Sequence, residues 1–107
     1  MSEEEDLGLE LGSQIKSRSD QRVKSPRLYR VILYNDDYTT MDFVVQVLKE
    51  IFNKPDQEAE MIMLDVHKKG KGVCGVYIYD VAVTKVKQVH RLAKENEFPL
   101  RCGYEMV

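Results

Sequence analysis

The chain lacks tryptophan and has only two cysteines, Cys74 and Cys102. With no Cys-x-x-Cys pair there is neither the ligand spacing of a structural zinc site nor a disulfide scaffold. Positive charge is not in excess. Sixteen Lys and Arg against eighteen Asp and Glu leave a net charge of −2, which argues against a general nucleic-acid partner. No apolar run approaches the roughly 18 residues that span a bilayer, so no membrane partner is expected. The opening Met1-Ser2-Glu3-Glu4-Glu5-Asp6 has no basic n-region and no apolar h-region, and no secretory signal is expected. Gly-x-Ser-x-Gly, His-Glu-x-x-His and a phosphate loop are missing. What is left at 107 residues is one small, soluble, cytoplasmic domain, with no catalytic residue, metal or cofactor expected.

Charge is segregated along the chain. Glu3, Glu4, Glu5, Asp6 and Glu10 open it without a base, and Lys16, Arg18, Arg22, Lys24 and Arg27 follow with Asp20 alone against them. Large apolar residues are few here, too few to offset the entropy of ordering. Residues 1–26 are expected to form a mobile arm ahead of a domain over 27–107. In that domain Leu28–Tyr34 is apolar, β-branched and aromatic, the pattern of a buried strand. Thr39-Thr40-Met41-Asp42 resembles a capping box with Thr39 as N-cap, opening a helix to about Asn53. Its polar residues Asp42, Gln46, Lys49 and Glu50 form one narrow stripe. The apolar sector is wider than one sheet contact needs, and calls for a second neighbour or a ligand groove.

Pro55 suits the first turn of a second helix. Ala59, Ile62, Met63 and Val66 recur at helical spacing, and Gly70 ends it. Val73–Tyr79 is expected as a strand, Asp80 as the cap of a third helix, and Pro99 as the opening of a last strand. The order is β-α-α-β-α-β. The expected fold is α+β: a small antiparallel three-stranded sheet with three helices packed on one face.

Candidate chemistry is concentrated at one place. Asn35-Asp36-Asp37 ends an apolar strand, where it is either a self-satisfied turn or a ligand-binding loop. A cation site is a further option, although calcium wants more oxygens at regular spacing. His67 alone would be structural or solvent-facing. If the first two helices form a hairpin, His67 and the loop come to the same side. A carboxylate, an amide oxygen and a neutral imidazole nitrogen supply three acceptors, and a primary ammonium has three N–H donors. Beside a pocket of methionine and valine they describe a receptor for a free N-terminus with a large hydrophobic first side chain. His90, among Lys87, Arg91 and Lys94, is expected at the surface, and both cysteines among apolar neighbours as buried hydrophobes.

The run Val31–Met41 resembles the signature of the ClpS family, bacterial adaptors of the ClpA–ClpP protease. Met61–His67, Cys74–Val76, Thr84–Val86 and Glu95–Leu100 resemble it too, in order and across about residues 27–107. The resemblance implies a non-enzymatic, monomeric adaptor for N-degron substrates, proteins beginning with Leu, Phe, Tyr or Trp. It implies delivery to the N-terminal domain of ClpA or a related Clp unfoldase. It assigns Asn35, Asp37 and His67 to the α-amino group, with Asp36 in support. It assigns Met41, Val44, Met63, Val66 and Leu100 to the side-chain pocket, with Thr39 at its rim. Met41 matches the residue that rejects β-branched side chains, Asp80 and Lys85 match partner contacts, and the arm matches the segment needed for delivery. Thr40 stands where many members have proline, and Asp80 replaces a more usual glutamate. Two other readings stay open: a plain docking domain, similar in outline to the C-terminal domain of the ribosomal stalk protein, and a small metal-dependent enzyme using Asp36, Asp37 and His67.

Overall fold

The computed structural model describes residues 26–107. All of the expected arm except Pro26 lies outside the described residues. Six elements follow in the expected order: β1 (Leu28–Tyr34), α1 (Met41–Glu50), α2 (Asp56–Lys69), β2 (Lys71–Ile78), α3 (Tyr79–Glu95) and β3 (Arg101–Met106). The strands form one antiparallel sheet in the order β2-β1-β3. The most apolar strand is central, as burial on both sides requires.

Strand periodicity sends Val31 and Leu33 of β1 to the helix side. There they join Phe43, Val47 and Leu48 of α1, Ile62 and Val66 of α2, and Ala82, Val89 and Ala93 of α3. Leu28, Arg30, Ile32 and Tyr34 alternate onto the other face. In β2 the register slips between the partners of Val31 and Ile32. This bulge spends Cys74 and Gly75 on the inner side, so Val73 and Val76 both fall on the outer one.

Several ends differ from the sequence expectation. The α1 N-cap is Thr40, not Thr39: the Thr40 hydroxyl accepts from the Phe43 amide at 3.1 Å. Thr39 is engaged instead by Asp36, so two adjacent threonines divide the work. Pro55 occupies the N-cap position of α2 rather than its first turn. Strand β2 starts two residues early, at Lys71, and ends at Ile78. Asp80 does not cap α3. The helix already starts at Tyr79 with Ile78 at the N-cap position and no side-chain cap, and Asp80 lies in the first turn. Its acidity there still suits the helix dipole.

His90 is more than a surface residue. Its Nε2 accepts the Cys102 backbone amide at 3.0 Å, fastening α3 to β3. Lys85 makes a similar tie: its Nζ donates to the Ile51 carbonyl at 2.6 Å, at the end of α1, and lies 5.9 Å from the Tyr77 ring. Both cysteines are buried and unbonded. Burial pushes the Cys74 thiol far up and the Cys102 thiol up to about 12, so neither supplies a thiolate at neutral pH.

Candidate functional site: a cavity with one polar and one apolar wall

The site follows from how two strands meet. Tyr34, the last residue of β1, pairs with Lys71, the first of β2. Extending that register by one residue, the Asn35 amide donates to the Gly70 carbonyl at 2.9 Å. Gly70 is the C-cap of α2 at φ 90°, a left-handed conformation that glycine adopts without penalty. The chain therefore passes from helix to strand through one residue. His67, in the last turn of α2, is held beside the loop that leaves β1. Gly72 sets how closely the helix approaches. A Cβ there would lie 2.8 Å from the Val66 side chain and 3.1 Å from the Ile62 carbonyl, so only glycine lets α2 lie this near the strand.

The result is a cavity of 440 Å³ lined by residues 35–41, Val44, Met63, Val66 and His67. Its polar wall is the loop from Asn35 to Thr40. Asp36 organises this loop. One carboxylate oxygen accepts the Tyr38 and Thr39 amides at 2.8 and 2.7 Å, and the other accepts the Thr39 hydroxyl at 2.7 Å. Burial works to raise the Asp36 carboxyl. The Thr39 hydroxyl and amide, the Tyr38 amide and the charge of Arg101 outweigh it and hold the group below the usual aspartate value. Asp36 is thus committed to the loop. Among the described residues, no hydrogen bond or ion pair engages the carboxylate of Asp37, the side-chain amide of Asn35 or the imidazole of His67.

The apolar wall combines a closed floor with an open rim. Val66, Val44 and Met63 are almost fully buried, whereas Met41 is 46% exposed. Met41 and Val44 come from the start of α1 and Met63 and Val66 from α2. The surplus apolar surface of α1 is therefore used twice, against α2 and toward the cavity.

Of the candidate residues, Asn35, Asp36, Asp37, Thr39, Met41, Val44, Met63, Val66 and His67 all reach this one cavity. Leu100 does not line it. It is buried in the common core just ahead of β3. Asp80 and Lys85 lie on α3, outside the cavity. Two lining residues were not singled out from the sequence, Tyr38 and Thr40. Tyr38 is 78% exposed, and its place between Asp37 and Thr39 in one contiguous loop is the signal that could have included it. Among the described residues, no three His, Cys, Asp or Glu side chains gather as a metal-holding group. The chemistry on offer is acceptors toward a cation, next to a hydrophobic recess.

The family model described as "ATP-dependent Clp protease adaptor protein ClpS" matches residues 24–103. The chain belongs to the ClpS family. An ATP-dependent Clp protease adapter protein ClpS from Syntrophus aciditrophicus is 54% identical over 107 residues, covering all of both chains. The protein of the same name from Acetivibrio thermocellus is 55% identical over 91 residues, 85% of this chain and 92% of its own. Among solved structures, ClpS2 of Agrobacterium tumefaciens bound to L-phenylalaninamide is similar at a TM-score of 0.75 and 40% identity. It covers 78% of this chain and 100% of that one. None of the described helices of this ClpS-family chain is long and apolar enough to cross a membrane.

Proposed function

We propose that this ClpS-family chain is a non-enzymatic, monomeric cytoplasmic adaptor. It captures proteins by a free N-terminus bearing Leu, Phe, Tyr or Trp and delivers them to the N-terminal domain of ClpA or a related Clp unfoldase. The observation that carries the reading is one cavity with acceptors that no other described residue engages on one wall and an apolar recess on the other. Asp37, Asn35 and His67 match the three donors of an ammonium in number and type. The ligand of the Agrobacterium tumefaciens relative, L-phenylalaninamide, presents the same two features, a free α-amino group and a large hydrophobic side chain.

Roles divide by wall. Asp37 supplies the countercharge, and Asn35 and His67 accept the remaining N–H bonds, each hydrogen bond to a charged group contributing about 1.5–3 kcal/mol. Asp36 holds the loop in place. Val44, Met63 and Val66 receive the side chain, whose burial contributes about 1.5–3 kcal/mol. Met41 stands at the rim, half exposed, and excludes β-branched residues, which carry their bulk at Cβ. Leu100 acts from behind, as core. Asp80 and Lys85 face the unfoldase, and residues 1–26 assist delivery.

Fluorescence anisotropy tests this with a short labelled peptide beginning with Leu, the same peptide N-acetylated, and a Met-first version. Binding of the free Leu peptide, lost on acetylation and weaker for Met, is the expected result. Equal or absent binding of all three overturns the reading and leaves a docking domain.

A further inference from the structure

We propose that Met41 is an oxidation site: a peroxide converts its thioether to the sulfoxide, and the cavity then binds hydrophobic side chains poorly. Four of the five methionines lie among the described residues, and burial separates them. Met63 shares the cavity with Met41 but is only 7% exposed. Met61 and Met106 are more exposed than Met41 but do not line the cavity. Met41, at 46%, is the one of the four that is both open to solvent and part of the lining. The Met106 sulfur is engaged besides, accepting from Arg27 Nη1 at 3.1 Å. Thiolates, the usual first targets of a peroxide, do not compete. Cys74 and Cys102 are buried, and burial keeps both thiols protonated at neutral pH.

The step needs only the peroxide. A sulfur lone pair attacks one peroxide oxygen and the O–O bond breaks. The S=O bond forms, and the departing hydroxide takes the remaining proton and leaves as water. Sulfur is oxidised by two electrons and the peroxide reduced by two. A flexible apolar thioether thereby becomes a polar, chiral group with a strong acceptor oxygen. Its neighbours on the apolar wall, Val44, Met63 and Val66, carry no side-chain donor for that oxygen. A ligand side chain entering the recess displaces water from the rim and leaves the oxygen unpaired, a penalty that opposes binding. Asp37, Asn35 and His67 are untouched, so the polar wall keeps its acceptors while the apolar wall loses its character. The change is reversible: a methionine sulfoxide reductase releases the oxygen as water at the expense of a dithiol. The consequence for binding rests on the capture of hydrophobic N-termini proposed above. It runs both ways, since a bound side chain covers Met41 and shields it from the oxidant.

The test treats the full chain with hydrogen peroxide and follows its methionines by peptide mass mapping. Binding of the labelled Leu-first peptide is read by anisotropy on the same samples. Met41 is expected to gain one oxygen while Met63 stays reduced, and affinity to fall about tenfold in step with Met41. A pair of methionine sulfoxide reductases, one for each epimer, should restore it. Saturating Leu peptide should slow the oxidation of Met41 and leave that of Met61 unaltered. A chain carrying Met61→Leu and Met106→Leu should lose affinity on treatment as the native sequence does. Met41→Leu, whatever its own starting affinity, should not change on treatment. Met41 that stays reduced while Met61 is oxidised overturns the proposal. So does affinity that survives complete oxidation of Met41, or an equal loss in treated Met41→Leu. Ligand that fails to protect Met41 overturns the shielding. An untreated chain that binds no Leu peptide fails differently: it overturns the capture of N-termini, and with it the consequence drawn for binding.

Discussion

The two walls of the cavity are built on opposite principles. The polar wall is a short loop whose shape is over-determined. Asp36 takes three hydrogen bonds from Tyr38 and Thr39, Thr40 caps α1, and the Asn35 amide is clasped to Gly70. The apolar wall is made of two valines and two methionines, the latter unbranched and adaptable. A charged ammonium has fixed hydrogen-bond directions and rewards a rigid partner. Side chains from Leu to Trp differ in size and reward a compliant one. The contrast implies that substitutions on the polar wall act on all ligands alike, whereas those on the apolar wall change which ligands are accepted.

The largest effect should come from the acceptors Asp37 and His67. Asp37→Ala or His67→Ala is expected to weaken binding of a free N-terminal Leu peptide about 10–100-fold, the loss of one hydrogen bond to a charged group. Circular dichroism should stay unchanged, since neither side chain supports the fold. Wild-type anisotropy in either variant would remove that residue from the ligand contacts. Next comes the floor. Met63→Ala should cost about 2–5 kcal/mol of stability by opening a buried space, readable in a urea titration. Met41→Ala, half exposed, should cost under about 0.5 kcal/mol, yet admit N-terminal Ile or Val. If that variant still rejects both, Met41 is not the gate.

The smallest expected effect is on acid stability. The folded carboxyl of Asp36 lies below the ordinary aspartate value, so its ionised form stabilises the fold. That contribution is complete above the unfolded value of about 3.9 and is lost as pH falls below it. Asp36→Ala should therefore flatten the dependence of the unfolding midpoint on pH below about 4 and loosen the loop. A variant with an unaltered acid limb would show that the three hydrogen bonds carry no net stabilisation.

Much of this was legible in the residues. The apolar run of β1, the helical spacing of Ala59, Ile62, Met63 and Val66, and the stop at Gly70 each gave an element. The fold and the convergence of the Asn35–Asp37 loop on His67 followed from their order. Contacts decided in three dimensions were not legible. Which of Thr39 and Thr40 caps α1 depends on which one Asp36 captures. His90 looked superficial because its partner, the Cys102 amide, is brought by a strand that arrives later in the chain. Leu100 has the right chemistry for the pocket but faces the core. Asp80 has the chemistry of a cap, yet α3 starts before it, continuing without a loop from β2.

The passage from α2 to β2 through Gly70 alone leaves the site without slack. The separation between the imidazole and the Asn35 loop is dictated by backbone, through the pairing of Tyr34 with Lys71 and the clasp at Gly70. Side chains around the cavity can be exchanged one at a time while that spacing stands. An insertion of a single residue between His67 and Gly70 cannot be absorbed in the same way. It would swing the imidazole about 100° around the helix axis and separate the two walls of the cavity, with every lining residue still in the sequence.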